Sequence, residues 1–225
     1  MSRRLPDGLF VAIEGVDGAG KSTQASLLAE ALRRRRLEVA LTREPTDGPW
    51  GRKLRESARS GRLSPEEELE AFLNDRREHV SRLIRPSLEA GKVVITDRYY
   101  FSTAAYQGAR GFDPAELMAQ NEAFAVEPDL LALLDLSPEE SLRRIGARGG
   151  RSAFESIEQL RRAREIYLAI RKPYLLRLDA SLPAETLRDA ILFELSRKAL
   201  ARWAADAGLT PAERVRASLI LHGAD

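Results

Sequence analysis

The sequence predicts an α/β protein built on a parallel sheet, and three observations carry that reading. Short runs rich in Val, Ile and Leu alternate with segments of helical period over roughly the first 200 residues, the order that gives a parallel sheet covered on both faces. No repeat, low-complexity tract or Gly/Ser-rich linker divides that stretch. The chain has 225 residues, 44% hydrophobic and 31% charged, which suits one enlarged domain with a substantial core. Its longest apolar runs fall short of the ~18 residues of a membrane span.

Taken in order, five strands are expected over 9–14, 38–42, 92–97, 130–136 and, more weakly, 174–178. The first runs into a glycine-rich loop, followed by a helical segment whose Leu27, Leu28, Ala31 and Leu32 are spaced for burial. Later helices share one starting device, a capping residue with proline at the first helical position and glutamate two residues further on. It occurs at Ser64-Pro65-Glu66-Glu67, Asp113-Pro114-Ala115-Glu116, Ser137-Pro138-Glu139-Glu140 and Thr210-Pro211-Ala212-Glu213. The first of these opens a long helix ending near Ala90-Gly91, with Leu69, Phe72, Leu73, Arg76, Val80, Leu83 and Ile84 on one stripe. Arg76 is the odd member of that face. From Trp203 the pattern turns alanine-rich and breaks at Gly208, so residues 1–202 read as a single domain and 203–225 as an appended C-terminal helical element.

Composition narrows the chemistry. With no cysteine there is no disulfide, thiolate nucleophile or Cys-ligated zinc, and His79 and His222 leave little material for a histidine site. Basic and acidic residues nearly balance, 36 against 34, which marks no nucleic-acid surface. Only Lys21, Lys53, Lys92, Lys172 and Lys198 are lysines; the other cations are arginines, whose flat forks suit carboxylate and phosphate. The basic start at Met1 is followed by an apolar stretch too short for a signal peptide, so a cytoplasmic protein with no membrane partner is expected.

Directly after the first strand stands Gly15-Val16-Asp17-Gly18-Ala19-Gly20-Lys21-Ser22, the full G-x-x-x-x-G-K-[ST] pattern of a phosphate-binding loop, in the confirming order of strand, loop and helix. Glycines let backbone N–H groups turn inward around an anion, Lys21 reaches the β- and γ-phosphates, and Ser22 can hold Mg²⁺. The third strand ends at Asp97, at the carboxyl edge of the sheet, where a magnesium partner belongs. Arg98 follows at once, a positive charge suited to a second, acceptor phosphate. No Asn-Lys-x-Asp base-reading motif of a GTPase is present.

Together these segments resemble the thymidylate (dTMP) kinase family of P-loop nucleoside-monophosphate kinases, from Phe10 to about Leu200. The resemblance rests on Gly15 to Ser22 with Thr23 and Gln24, on Thr42-Arg43-Glu44-Pro45, and on Asp97-Arg98-Tyr99 with Ser102, Ala105, Tyr106 and Gln107. Asp179-Ala180-Ser181 is similar to the loop on which adenine rests. The resemblance implies a P-loop kinase fold with a five-stranded parallel sheet and a short lid, Mg-ATP as donor, dTMP as acceptor, and a homodimer. It assigns Gly15, Val16, Asp17, Gly18, Ala19, Gly20, Lys21, Ser22, Thr23, Arg144 and Ala180 to ATP, and Ser22 and Asp97 to the metal. Arg43 and Arg98 grip the acceptor phosphate, Asp17 touches the sugar 3′-hydroxyl, Tyr106 fills the space of a 2′-hydroxyl, Phe72 stacks on thymine and Arg76 bonds its O4; Ser102 and Gln107 belong to the same substrate segment. The lid falls at about 146–154, and because Gly18 leaves the P-loop without an arginine, Arg148 or Arg151 joins Lys21, Arg98 and Asp17 as the catalytic set.

The sequence departs from the family pattern in two places. Ala153 stands where many lids carry arginine, and Thr46-Asp47-Gly48 replaces the more usual Gly-Gly-Thr. Two other readings stay open at this point: a nucleoside-monophosphate or deoxynucleoside kinase with another acceptor, and a nucleotide-binding sensor without turnover. The shortage of histidine fits a monophosphate acceptor, whose attacking oxygen is already anionic with a second pKa of about 6, so that no base is required.

Overall fold

A computed structural model describes residues 5–61, 63–147, 157–206 and 208–211. Five parallel strands form one sheet: β1 (Leu9–Glu14), β2 (Val39–Arg43), β3 (Val93–Asp97), β4 (Leu130–Asp135) and β5 (Leu175–Asp179), in the order β2-β3-β1-β4-β5. Each lies within a residue or so of its expected place. The inner strands β1, β3 and β4 are buried almost throughout, whereas β2 and β5, at the edges, have only half-buried and exposed positions. That contrast follows from the apolar runs: only a strand covered on both faces needs one.

Helices α1 (Lys21–Arg34) and α9 (Ala184–Ala205) pack together, and α2 (Pro49–Ser60), α3 (Pro65–His79), α5 (Tyr100–Gly108), α6 (Pro114–Glu122), α7 (Pro138–Ala147) and α8 (Ile157–Ala169) complete the layers. Ser64 and Glu67 form the reciprocal capping box, while Asp113 and Ser137 accept from the backbone of the first turn of α6 and α7. The helix beginning at Pro65 differs from its expected form in two ways. It changes pitch through a π turn, Val80–Ile84, before α4 (Arg85–Glu89), with the Arg85 N–H donating to the Val80 carbonyl. Pro86 is the physical reason, since it has no N–H and its ring crowds the preceding turn. The inward stripe is also not the expected one: Ala71, Asp75, Arg76, His79, Val80 and Ile84 are buried, while Leu69, Phe72, Leu73 and Leu83 are half-buried. Ionisable side chains occupy the centre of a face that periodicity alone would make apolar.

The boundary expected before Trp203 does not coincide with the end of an element. Helix α9 runs through it, Trp203 is fully buried in the main core, and the neighbouring Arg202 donates to Asp129 and to the Gly8 carbonyl. The expected helix after Pro211 lies outside the described residues.

The register fixes the site. Ile13 and Arg43 both stand opposite Asp97, so the carboxyl ends of β1, β2 and β3 meet at one crevice, where ligands bind in open α/β sheets.

Candidate active site

The loop after β1 turns on glycines. Gly18 (φ 78°) and Gly20 (φ 94°) are left-handed, and a Cβ on Gly18 would come within 3.0 Å of the Ser141 carbonyl oxygen. Around Gly20 the space is open, leaving room for a ligand at the start of α1. Lys21 is buried; its Nζ donates to the Val16 carbonyl at 2.9 Å and lies 3.6 Å from Asp17 Oδ1. Burial, then repulsion from Arg98, pulls its pKa down to about 8 against the attraction of Asp17, Asp97 and Glu14. The Ser22 hydroxyl donates to Asp97 Oδ2, and the buried Asp97 Oδ1 has no hydrogen-bond partner among the described residues. Thr23 is exposed beside Ser22. Arg144 ties the donor side together: its Nε donates to Glu140 at 2.8 Å, and its Nη1 reaches the carbonyls of Gly18 and Ala180 at 3.5 and 3.1 Å. Arg148 and Arg151 lie outside the described residues, as does most of the expected lid.

On the other side of Asp17 opens a pocket lined by Phe72, Arg76, Arg98, Thr103, Tyr106 and Gln107 among others. Arg98 is itself left-handed (φ 73°). One arm of its guanidinium donates to Ser102 Oγ at 3.1 Å and the other to Asp17 Oδ1, while its Cζ sits 5.2 Å from the centre of the Tyr106 ring. The Tyr106 hydroxyl accepts from the Asp17 N–H at 3.1 Å. Behind Ser102 lies Glu14, fully buried, which accepts from the N–H groups of Tyr99 and Ser102 and from the hydroxyls of Ser102 and Tyr167. Burial pushes the Glu14 carboxyl up, against the pull of Ser102, Arg98, Tyr99 and Tyr167.

At the far wall Arg76 is 1% exposed. It donates to Glu44 Oε2 through Nε (2.8 Å) and Nη2 (2.5 Å), to Thr103 Oγ1 (3.1 Å) and to Asn121 Oδ1 (2.5 Å). Glu44 also meets His79 Nδ1 at 2.9 Å, and His79 Nε2 meets the Thr42 hydroxyl at 2.8 Å. Burial alone would raise the Glu44 carboxyl, but Arg76 and His79 hold it below its ordinary value.

Most of the expected acceptor residues are therefore brought together, but Arg43 is not. Its side chain is exposed and bonds Asp47 at 3.0 and 3.3 Å, lining a neighbouring hollow with Ser22, Asp97 and His79. Asp47, the departure in the Thr46-Asp47-Gly48 loop, is what holds it, with Arg55 on the same carboxylate at 2.9 Å. Ser102 serves Arg98 and Glu14 as well as lining the pocket, and Gln107 lines the pocket while accepting from Arg110. Sequence reasoning missed roles for Glu14, Glu44, Thr103, Asn121 and Tyr167. The available signals were a glutamate closing an apolar strand and three ionisable residues, Asp75, Arg76 and His79, crowded on one helix face.

A phosphate loop with its lysine, facing across one aspartate a pocket with its own arginine, defines a P-loop phosphotransferase whose acceptor is itself anionic. Residues 13–191 match the thymidylate kinase family model. The chain is 50% identical over 189 residues to a thymidylate kinase of Xylella fastidiosa (strain M12), covering 84% of this chain and 87% of that protein. It is 47% identical over 191 residues to one from Akkermansia muciniphila (85% and 93% covered) and 50% identical over 183 residues to one from Xanthomonas campestris pv. campestris strain B100 (81% and 80%). The chain belongs to the thymidylate kinase family.

Proposed function

We propose that this chain transfers the γ-phosphoryl group of ATP to dTMP, giving ADP and dTDP, with the donor on the Gly15–Gly20 loop and the acceptor in the pocket of Phe72, Arg76 and Arg98. One observation carries the assignment of sites. The Asp17 carboxylate meets Lys21 at 3.6 Å and Arg98 directly, so one cation from each site converges where two phosphates must meet.

In this reading Arg98 orients the acceptor phosphate, Phe72 covers the base, and Arg76 and Thr103 present polar groups to its edge. Tyr106 fills the space beside the sugar and is the platform under Arg98. Arg43, exposed and bonded to Asp47 through one nitrogen, turns toward the acceptor phosphate in this reading. The attacking oxygen is already charged, so these residues position and neutralise; none abstracts a proton. Lys21 meets the donor phosphates, Arg144 and Ala180 border the adenine, and Arg148 or Arg151 meets the charge that develops during transfer. Ser22 and the Asp97 oxygen that lacks a partner suit Mg²⁺, a hard cation that takes few protein oxygens and keeps several waters. When bound it neutralises charge on the transferring phosphates. The reading includes a homodimer and a cytoplasmic location where ATP is supplied.

The test is ADP release measured with dTMP, dUMP, dCMP, dGMP and thymidine in turn. dTMP is expected to be the fastest substrate and thymidine the poorest. Equal or better turnover of dGMP would remove the pyrimidine assignment, and equal turnover of thymidine would remove the phosphate assignment of Arg98.

A further inference from the structure

Glu14 is an unexpected residue for its place. It ends the central strand, is fully buried, and precedes the P-loop by one residue. A carboxylate there loses its water and would be replaced without loss of packing by an apolar side chain of its size, unless its hydrogen bonds serve another purpose.

Those bonds all fall on the start of α5 and on α8. The Tyr99 N–H donates to Glu14 at 2.7 Å, the Ser102 N–H at 3.1 Å, the Ser102 hydroxyl at 2.6 Å and the Tyr167 hydroxyl at 2.9 Å. The Arg98 N–H, one residue before Tyr99, donates to the Ile13 carbonyl at 3.0 Å. Two consecutive amides of the turn after β3 are thus pinned to two consecutive residues of β1. Between them Arg98 keeps a left-handed backbone that a non-glycine residue seldom adopts unless its surroundings impose it.

The side chain is set by the same group. The Ser102 hydroxyl lies between Arg98 and Glu14, accepting from Arg98 at 3.1 Å and donating to Glu14 at 2.6 Å, with the Tyr167 hydroxyl, itself a donor to Glu14, 2.9 Å away. Arg98 is therefore held by two carboxylates of the β1 end, Asp17 directly and Glu14 through Ser102. The Asp17 carboxylate is partly exposed and can give way to a phosphate oxygen, whereas the Glu14 carboxylate behind Ser102 is fully buried.

We propose that Glu14 is a positioning residue for acceptor binding, its carboxylate fixing the first turn of α5 and, through Ser102, the guanidinium of Arg98. The proposal rests on the reading that Arg98 holds the acceptor phosphate.

Calorimetry on the full chain with dTMP, thymidine and ATP tests it, because thymidine fills the same pocket without the phosphate. Glu14→Gln keeps the shape and removes the charge. It should weaken dTMP roughly tenfold while thymidine and ATP stay within about twofold, the loss expected for one misplaced charged hydrogen bond. Ser102→Ala, which cuts the link and leaves Glu14 in place, should give the same selectivity with smaller size, and decides the matter if Glu14→Gln does not fold. Parallel weakening of all three ligands, or unchanged dTMP binding, would reduce Glu14 to a structural residue. Arg98→Lys is the control. If it fails to reduce dTMP binding relative to thymidine, the reading of Arg98 falls; if it succeeds while the Glu14 and Ser102 variants show no selectivity, only the present proposal falls.

Discussion

On the acceptor side, the cations are matched within the protein itself: Arg76 lies on Glu44, Thr103 and Asn121 in the core, and Arg98 on Asp17 and Ser102. The donor side is built differently. There a backbone loop leaves open space around Gly20, and Lys21 rests its amine on a neutral carbonyl at a depressed pKa. Paired ions buried among packed side chains give a fixed shape, which suits telling one base from another. A lysine whose nearest carboxylate lies 3.6 Å away gains more when phosphate arrives, which suits a ligand recognised by charge. Arg43 stands between these cases, paired but exposed, and free to exchange Asp47 for another anion.

Removing donor-side cations should therefore cost rate and spare the fold. Lys21→Ala, and separately the double variant Arg148→Ala/Arg151→Ala, should each lower kcat by about 10³ with little change in dTMP KM. Steady-state kinetics with dTMP checks this, and a double variant with unaltered kcat would remove the lid arginines from the mechanism. An arginine at Gly18 is a poor rescue, because the left-handed backbone and the Ser141 carbonyl oppose a side chain there.

Removing an acceptor-side partner should instead cost stability. Glu44→Gln leaves Arg76 buried without its counter-charge, a change worth about 3 to 5 kcal/mol. Thermal unfolding should reveal it as a melting point roughly 10 °C lower, given about 2 to 4 °C per kcal/mol at this size. A shift of a degree or less would mean that the pocket is less fixed than described.

Tyr106→Ala probes a smaller difference. Exclusion of one hydroxyl by shape is worth ~1 to 3 kcal/mol, so the preference for dTMP over ribo-TMP in kcat/KM should narrow by about tenfold or more. Because the ring also supports Arg98, dTMP binding should weaken as well. An unchanged ratio would place the discrimination on another residue.

The smallest effect concerns pH. With the folded pKa of Lys21 near 8, below its ordinary 10.5, the unfolded chain holds the proton more tightly between those values. Stability of the ligand-free protein should rise with pH through that window as far as Lys21 contributes. Donor phosphates favour the charged amine, so ATP should bind with proton uptake above pH 8 and lose affinity as pH rises. Calorimetry in two buffers of different ionisation enthalpy measures the uptake, and none at pH 9 would contradict the depressed pKa.

Much of the fold was legible because local signals and global burial agreed. The apolar runs gave the strands to within a residue or so, and Ser64 and Asp113 cap the helices they were expected to start. The P-loop was legible for the same reason, since its chemistry is local. What the sequence concealed depends on partners far along the chain. Glu44 meets an arginine 32 residues away, and Glu14 a tyrosine 153 residues away. Arg43, expected beside Arg98, is held by Asp47 four residues on. Trp203 was misplaced because surrounding alanines blurred the helical period, although a buried tryptophan is core wherever the composition changes. Truncation after Arg202 should accordingly destabilise the protein by about 3 to 5 kcal/mol, as loss of a core tryptophan does.

The acceptor pocket's independence of the donor is tested most directly by titrating dTMP into the nucleotide-free protein by calorimetry, with and without a non-hydrolysable ATP analogue. Saturable binding of one dTMP per chain, with affinities in the two conditions within about threefold, is the result expected of a pocket whose cations are already held in place. Binding detectable only when the ATP analogue is present would contradict it, because the acceptor site would then be assembled by the donor.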